Sequence, residues 1–479
     1  MSENSNTGHS SSVVVKAGLW YTICNFLFRG LAFITTPIFA RLMSKAELGN
    51  FSNFSSWAVI LSVVTSFDLA QSIIRSKLEH EDDMDSYVWS ILSFSTIWTL
   101  LVYGIVLLSP ETFAGIMKID VKYIHIMFLY LLAAPPYQML ITKHRAFYKY
   151  KMFVLLTGIM AVSGTLMSLG MVLLMQDKLA GRIIGFYTPH IIIGFIIFLV
   201  IAVRGKKIKT EYWKYACVIC IPLVPHVLSL NLLSTSDTLI ITRLCGAEYT
   251  AIYSIAYSAY HIITILFDSM NKAWAPWLLE SLHHEKYPEI KRVSKIYISI
   301  FEVIIIGILI LIPEIILILG GKQYAGAIYC LPPLATSCVF QLVYTMYVNI
   351  EFYKKRTIGV SIATMIATAV NIILNLIFIP MNPEYSYVIA AYTTLAGYIV
   401  LFICHYYIVK KMGMAHVFEI KFILGIFAFT LLVSGIMNLV YRIGLVRYGI
   451  FAVYAIAVIA IGLKYKDRIL GIFFKKKRA

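Results

Sequence analysis

Arg29, Asp237, His261 and Asp268 are ionisable residues set inside long apolar runs. An ionisable group at mid-membrane costs about 2.5–3.5 kcal/mol on insertion scales, so a functional role is the default expectation. Arg29 shares a stripe with Thr22, Asn25 and Thr36 at helical spacing on the first run. Tyr257, His261, Thr264 and Asp268 follow similar spacing on the eighth run, and Thr364, Thr368, Asn371 and Asn375 on the eleventh. On the seventh, His226 and Asp237 share a face. Four wet stripes imply a polar cavity between the two halves of the chain. A lone Ser or Thr is better explained as interhelical hydrogen-bonding glue. An arginine cannot shed its charge, which favours a cavity role for Arg29. Asp237 has two readings: a functional carboxylate, or the partner of His226 or another base. Asp68 and Glu302 are weaker candidates, and Asp68 lies near a helix end where it can snorkel or pair.

The elements that must position these groups are membrane spans. The chain has 479 residues, 60% hydrophobic and only 14% charged, with a mean hydropathy of +0.81. A soluble domain is about 25% charged, so a soluble enzyme is excluded. With about 20 apolar residues needed per span, about fourteen helices fit. They are expected near 17–40, 50–74, 87–108, 123–142, 153–175, 183–203, 214–242, 250–270, 293–312, 325–350, 357–379, 386–409, 420–440 and 448–467. An even number puts both termini on one side. Thirty of the 41 Lys and Arg fall in one alternate set of links and 10 in the other. That bias places the termini in the cytosol. The net charge of +17 therefore records topology, and nucleic acid is not an expected partner. Lys206-Lys207-Ile208-Lys209, Lys354-Lys355-Arg356 and Lys475-Lys476-Lys477-Arg478 suit orientation and contact with anionic lipid.

The chain also repeats itself. Arg41-Leu42, Phe51-Ser52 and Ser56 recur as Arg243-Leu244, Tyr253-Ser254 and Ser258 at a separation of 202 residues. Phe147 to Lys151 recurs as Phe352 to Arg356 at 205. Such offsets predict two six-helix bundles of like topology, as parallel repeats give in transporters. The expected division is a disordered cytosolic lead over 1–12, an N-terminal bundle over 13–209 and a C-terminal bundle over 210–412. Two extra helices over 413–470 and a basic tail over 471–479 complete it.

Other chemistry finds little support. Cys217 and Cys220 have C-x-x-C spacing with no companion cluster and read as small helix hydrophobes. The acidic run Glu79 to Asp85 lacks the glycine and length of an EF-hand and reads as a solvated link. No Walker A, H-E-x-x-H or G-x-S-x-G motif stands in a suitable context. Short outer links, the longest being 109–122, disfavour a polysaccharide polymerase or ligase. No filter loop or charged ring suggests a channel. No catalytic residue, cofactor or resident metal is expected beyond a coupling ion.

Several segments resemble a known family. Ala40-Arg41-Leu42-Met43-Ser44-Lys45-Ala46-Glu47-Leu48-Gly49 resembles the A-R-L-L-S-x-E-E-Y-G signature of bacterial polysaccharide biosynthesis flippases. Asp237 to Ile241 with Ile252-Tyr253-Ser254, Trp274-Ala275-Pro276-Trp277, and Asn371-Ile372-Ile373-Leu374-Asn375 with Pro380 resemble further segments of that family. The resemblance implies the multidrug/oligosaccharidyl-lipid/polysaccharide exporter superfamily and its Wzx-like branch. It implies carriage of undecaprenyl-pyrophosphate-linked oligosaccharide across the bacterial cytoplasmic membrane by alternating access. A polymerase or glycosyltransferases of the same pathway are the partners it suggests. By position, Arg29 matches a cavity arginine of related lipid II flippases, and its fork of donors suits a diphosphate. The implied substrate cavity holds Thr22, Asn25, Arg29, His261 and Asp268. An implied sodium site holds Asp237, Asn371, Asn375 and Thr394, although Asn375 stands where relatives can have Asp; proton coupling through Asp237 is the alternative. A lipid II flippase and a multidrug antiporter are the rival functions.

Overall fold

The computed structural model describes residues 20, 30–31, 33–356 and 358–464. Among these residues the chain is helical, without strands. Its helices are α1 (Phe33–Leu42), α2 (Lys45–Ser66), α3 (Ser72–Glu79), α4 (Met84–Leu108), α5 (Pro110–Met117), α6 (Val121–Ala146), α7 (Tyr150–Leu174), α8 (Lys178–Gly205), α9 (Thr210–Cys220) and α10 (Val224–Leu244). Then come α11 (Ala247–His283), α12 (Tyr287–Leu319), α13 (Leu331–Tyr353), α14 (Ile358–Met381), α15 (Ser386–Lys411), α16 (Ile420–Val440) and α17 (Gly444–Lys464). Ten described segments are long and apolar enough to cross a membrane, or twelve if two bent pairs each count once. Two shorter apolar helices, α1 and α17, stand at the first and last expected spans. The chain is an all-α multi-pass membrane protein.

Departures from the expected spans have local causes. The second span breaks after Ser66: Phe67 and Asp68 take left-handed backbone at φ 49° and 50°, and the chain bends by 59°. Non-glycine residues rarely adopt that region, so the pair stores strain. The seventh tightens into a 3-10 turn at Ile221–Leu223 between α9 and α10, where Pro222 and Pro225 remove backbone donors, yet it remains one span, Thr210–Leu244. α11 carries the Trp274-Ala275-Pro276-Trp277 segment inside the helix, well beyond residue 270. Trp274 stacks on Tyr297 of α12 at 4.5 Å, and that contact fixes the helix through its proline.

Residues 210–220, at the start of the expected second bundle, also touch the first. Trp213 donates to the Ser90 carbonyl at 2.7 Å, and Tyr212 donates to Asp83 at 2.7 Å. The acidic run is accordingly not a free link: Asp83 pairs with Lys209 at 2.6 Å, and Asp85 with Lys143.

Burial is uneven. One continuous apolar cluster runs through α10 to α16 and takes in Phe39, Met43 and Leu48 from the first half. The first half has two separate clusters. One lies around Ile73, Tyr87, Ile91 and Met139, the other around Phe54, Tyr123, Phe128 and Ile183. α16 and α17 dock against α12, where Arg447 pairs with Glu314 and Tyr454 donates to the Val303 carbonyl at 2.6 Å.

Candidate functional site

α2 lies along α10 and α11 and joins the halves. A cavity of about 650 Å³ opens between them, lined by Thr36, Tyr257, His261, Thr264, Asp268 and Tyr398 among others. The expected α11 stripe therefore faces it, with Thr36 opposite. A second chamber of about 420 Å³ shares Thr36, Ser234, Tyr257, Ser258 and His261 with the first. The two adjoin through these residues, with polar side chains set into a largely apolar lining. Ser254 lines one end and Asp268 the other, 14 helical residues apart, which is about 21 Å. Thr22, Asn25 and Arg29 lie outside the described residues.

The 420 Å³ chamber holds a cation that sequence reasoning placed in an outer link. Arg182, one turn into α8, has its guanidinium 3.5 Å from the Phe39 ring and 4.5 Å from the Phe51 ring. Its Nη1 donates to Ser168 at 2.7 Å, and its buried Nε has no partner.

At that end the halves are clasped. Arg41 donates to the Pro37 carbonyl at 2.7 Å and, across the halves, to the Ile318 carbonyl at 3.2 Å. Arg243 donates to the Ile116 carbonyl at 2.9 Å. Ile116 and Ile318 lie in the last turns of α5 and α12, where carbonyls lack helical partners and attract cations. Ser44 and Glu47 form a capping box that starts α2. Gly49 lies so close to α11 that a Cβ there would come within 1.7 Å of the Ala247 carbonyl oxygen. The 40–49 segment is thus the hardware of this junction.

The α14 stripe points away from the cavity, into the second half. Thr364, Thr368, Asn371 and Asn375 are all buried, and Thr368 donates to the Ser229 carbonyl of α10 at 2.9 Å. Asn371 and Asn375 donate to Asp237 Oδ1 at 3.2 and 2.6 Å. Thr394 and Tyr253 each donate to Oδ2 at 2.5 Å. Asp237, Asn371, Asn375 and Thr394 are therefore brought together, with Tyr253 as a fifth member that the spacing did not reveal. Asp237 is 0% exposed and has no basic partner among the described residues. His226 lies about 16 Å back along the helix axis, its Nδ1 unpartnered.

The amide oxygens of the two asparagines face Ser236 and Thr393. Amide orientation is set by the network around it. Turned over, Asn371 and Asn375 present carbonyl oxygens, while Ser236 and Thr393 accept in place of donating. With Asp237, Thr394 and Tyr253 the group then offers one carboxylate and four neutral oxygens, which suits a small hard cation. Among the described residues no group of three or more His, Cys, Asp and Glu could hold a metal. Rings connect this cage to the cavity: Tyr253 lies 5.6 Å from Tyr257, and Tyr257 lies 5.0 Å from Tyr260.

Two further buried acids were placed. Glu302 accepts from Thr430 of α16 at 2.9 Å, away from the cavity. Glu351, which sequence reasoning passed over, meets His405 Nδ1 at 2.6 Å with both residues almost fully buried. Asp68 lines a separate 380 Å³ chamber with Gln138 and His190 of the first half and Asn231 of α10. Cys217 and Cys220 are free thiols on α9.

A sequence profile for the polysaccharide biosynthesis protein family matches residues 14–282, more than half of the chain. No curated protein matches it. Among solved structures, the lipid II flippase MurJ in an inward closed conformation is similar over 94% of this chain and 99% of that one. Its TM-score is 0.69 at 17% identity. An inward-facing MATE-family multidrug transporter of the MOP superfamily is similar over 81% of this chain and 95% of that one, with a TM-score of 0.60 at 12% identity. A Vibrio cholerae MATE transporter, VcmN, gives 0.52 at 10% identity over 84% and 98%. These neighbours share the fold and are transporters, not enzymes. The chain belongs to the polysaccharide biosynthesis protein family, with the fold of MOP-superfamily flippases and transporters.

Proposed function

We propose that this protein is a flippase that carries undecaprenyl-pyrophosphate-linked oligosaccharide units across the bacterial cytoplasmic membrane for surface polysaccharide synthesis. The pair of adjoining cavities between the two halves, spanning about 21 Å from Asp268 to Ser254 with polar side chains along it, carries this reading. It is long enough to shelter a glycan head group while a polyprenyl tail stays in lipid. The family assignment supports the glycan as cargo.

The positive-inside bias puts the Arg41–Arg243 end outside and both termini in the cytosol. The halves, taken as 13–209 and 210–412, load cargo from the cytosolic side while that outer end is clasped. Thr22, Asn25, Arg29, His261 and Asp268 receive the head group, with Arg29 on the diphosphate. Release outward requires the Arg41 and Arg243 hydrogen bonds to part. Asp237 is a buried carboxylate without a counter-charge among the described residues, an arrangement that costs several kcal/mol unless a cation or proton relieves it. Asp237, Asn371, Asn375, Thr394 and Tyr253 hold that coupling ion, and the tyrosine ladder carries its state to the cavity.

The test is a deletion strain. Undecaprenyl-linked oligosaccharide should accumulate on the cytosolic leaflet and disappear on complementation. Accumulation of lipid II would transfer the protein to the second reading, a lipid II flippase. Drug sensitivity alone would make it an antiporter.

A further inference from the structure

We propose that Arg182 is an anion-binding residue at the clasped end of the transport cavity, taking an oxyanion of the cargo, of the phosphate class, before release. The ligand's identity as cargo rests on the flippase reading; the site's chemistry does not.

A guanidinium held between two aromatic faces keeps its N–H donors in the plane between the rings. Phe39 and Phe51 hold Arg182 in this way at 3.5 and 4.5 Å. Of the five donors an arginine carries, Ser168 takes one at Nη1, and the buried Nε has none to serve. Among the described residues no carboxylate pairs with Arg182. A half-buried cation without a counter-ion is unfavourable in a membrane interior, and an anion with two or more oxygens relieves it through a forked contact. The same chamber is lined by Ser55, which accepts from Tyr187 and keeps its own O–H, and by Thr238, further donors for an oxyanion. A purely structural arginine, pinning α8 to α1 and α2 through its rings, would have a carboxylate partner, as Arg447 has in Glu314, and no open chamber in front of it.

Arg182 stands at the other end of the space from Asp268. An anionic group bound there is held beside the clasp, next to the exit.

The purified full-length protein is titrated with inorganic pyrophosphate, with glucuronate and with chloride at matched ionic strength, following the thermal midpoint and the heat of binding. Pyrophosphate should stabilise the wild type saturably. Arg182→Lys, which keeps charge but loses the fork, should weaken binding about tenfold, and Arg182→Gln should weaken it further. Ser55→Asp keeps Arg182 but sets a carboxylate in its chamber, and it should weaken binding without lowering the midpoint of the unliganded protein. Glucuronate binding with the same Arg182 dependence, in place of pyrophosphate, would identify an acidic sugar as the source of the oxyanion. Equal binding of both probes by wild type, Arg182→Gln and Ser55→Asp, or no saturable binding, would overturn the proposal. The deletion-strain result is independent: glycan accumulation with Arg182-independent binding leaves the function and removes the site, and the converse leaves the site alone.

Discussion

Arg41 and Arg243, 202 residues apart, each hold a carbonyl of the opposite half, and the two carbonyls, of Ile318 and Ile116, are also 202 residues apart. A weak internal repeat thus becomes a reciprocal clasp: each half extends its arginine to the equivalent helix end of the other. Neither contact is strong alone, since both arginines are largely solvent-facing.

Removing the clasp should open the outer end. Each arginine–carbonyl bond contributes about 1 kcal/mol, so Arg41→Ala or Arg243→Ala should raise outward opening about fivefold. The double substitution should multiply the two effects, because the contacts share no partner. The measurement is labelling of Ser258→Cys by an impermeant maleimide applied outside. Labelling that stays at the parental rate would show that the arginines hold nothing shut.

Gly49→Ala should act more severely than either arginine change. Its Cβ would meet the Ala247 carbonyl oxygen at 1.7 Å, a backbone atom that cannot step aside. The α2–α11 contact should be pried apart, with outward labelling raised and glycan export lost. Gly104→Ala, with nothing within 4 Å, is the control and should be neutral.

The Asp237 cage should respond to ions. Asp237→Asn should abolish whatever stabilisation the protein gains from sodium over choline, read as a thermal shift. Thr394→Ala and Tyr253→Phe each leave Oδ2 with one donor in place of two and should cost about 1–3 kcal/mol. If the coupling ion is a proton, the Asp237-dependent shift will follow pH and ignore sodium. No dependence on either would reduce Asp237 to a packing residue.

Asp177 should give a pH-dependent contribution outside the membrane. Its carboxylate accepts the Ala180 N–H at 2.9 Å and caps α8, and this hydrogen bond, aided by Lys122, holds it below the ordinary carboxylate value of 3.8. A depressed value means stability present above 3.8 and lost as the pH falls through the folded-state value. Asp177→Ala should therefore cost about 1 kcal/mol at neutral pH and progressively less in acid. Asp177→Asn, still a cap but without a titrating group, should lose the pH dependence and keep most of the stability.

Span positions were legible because apolar runs and basic links obey the bilayer, which acts on each segment by itself. The Asp237 cage was legible through the N-x-x-x-N spacing on α14 and its resemblance to a family segment. Arg182 was not: as a basic residue near a helix end it looks like any other, and only Phe39 and Phe51, more than 100 residues away in sequence, make it a cavity residue. Glu351 and His405 escaped for the same reason, being 54 residues apart on different helices. The α14 stripe had the right spacing and was assigned the wrong neighbour, because periodicity shows that a face is polar without showing what it meets. Pro222 and Pro225 did mark the α9–α10 turn, and the hydropathy of the whole run concealed it.

The uneven cores give the two halves different mechanics. A body with one unbroken apolar interior moves as a stiff block, whereas a body whose apolar interior is split into two clusters, with a strained left-handed joint at Phe67 and Asp68 beside a chamber, yields there first. The second half is the anvil of this machine and the first half its spring. Backbone amides of α13 and α15 should then outlast those flanking the joint in hydrogen exchange, and the working stroke is the flexing of one partner against a fixed one.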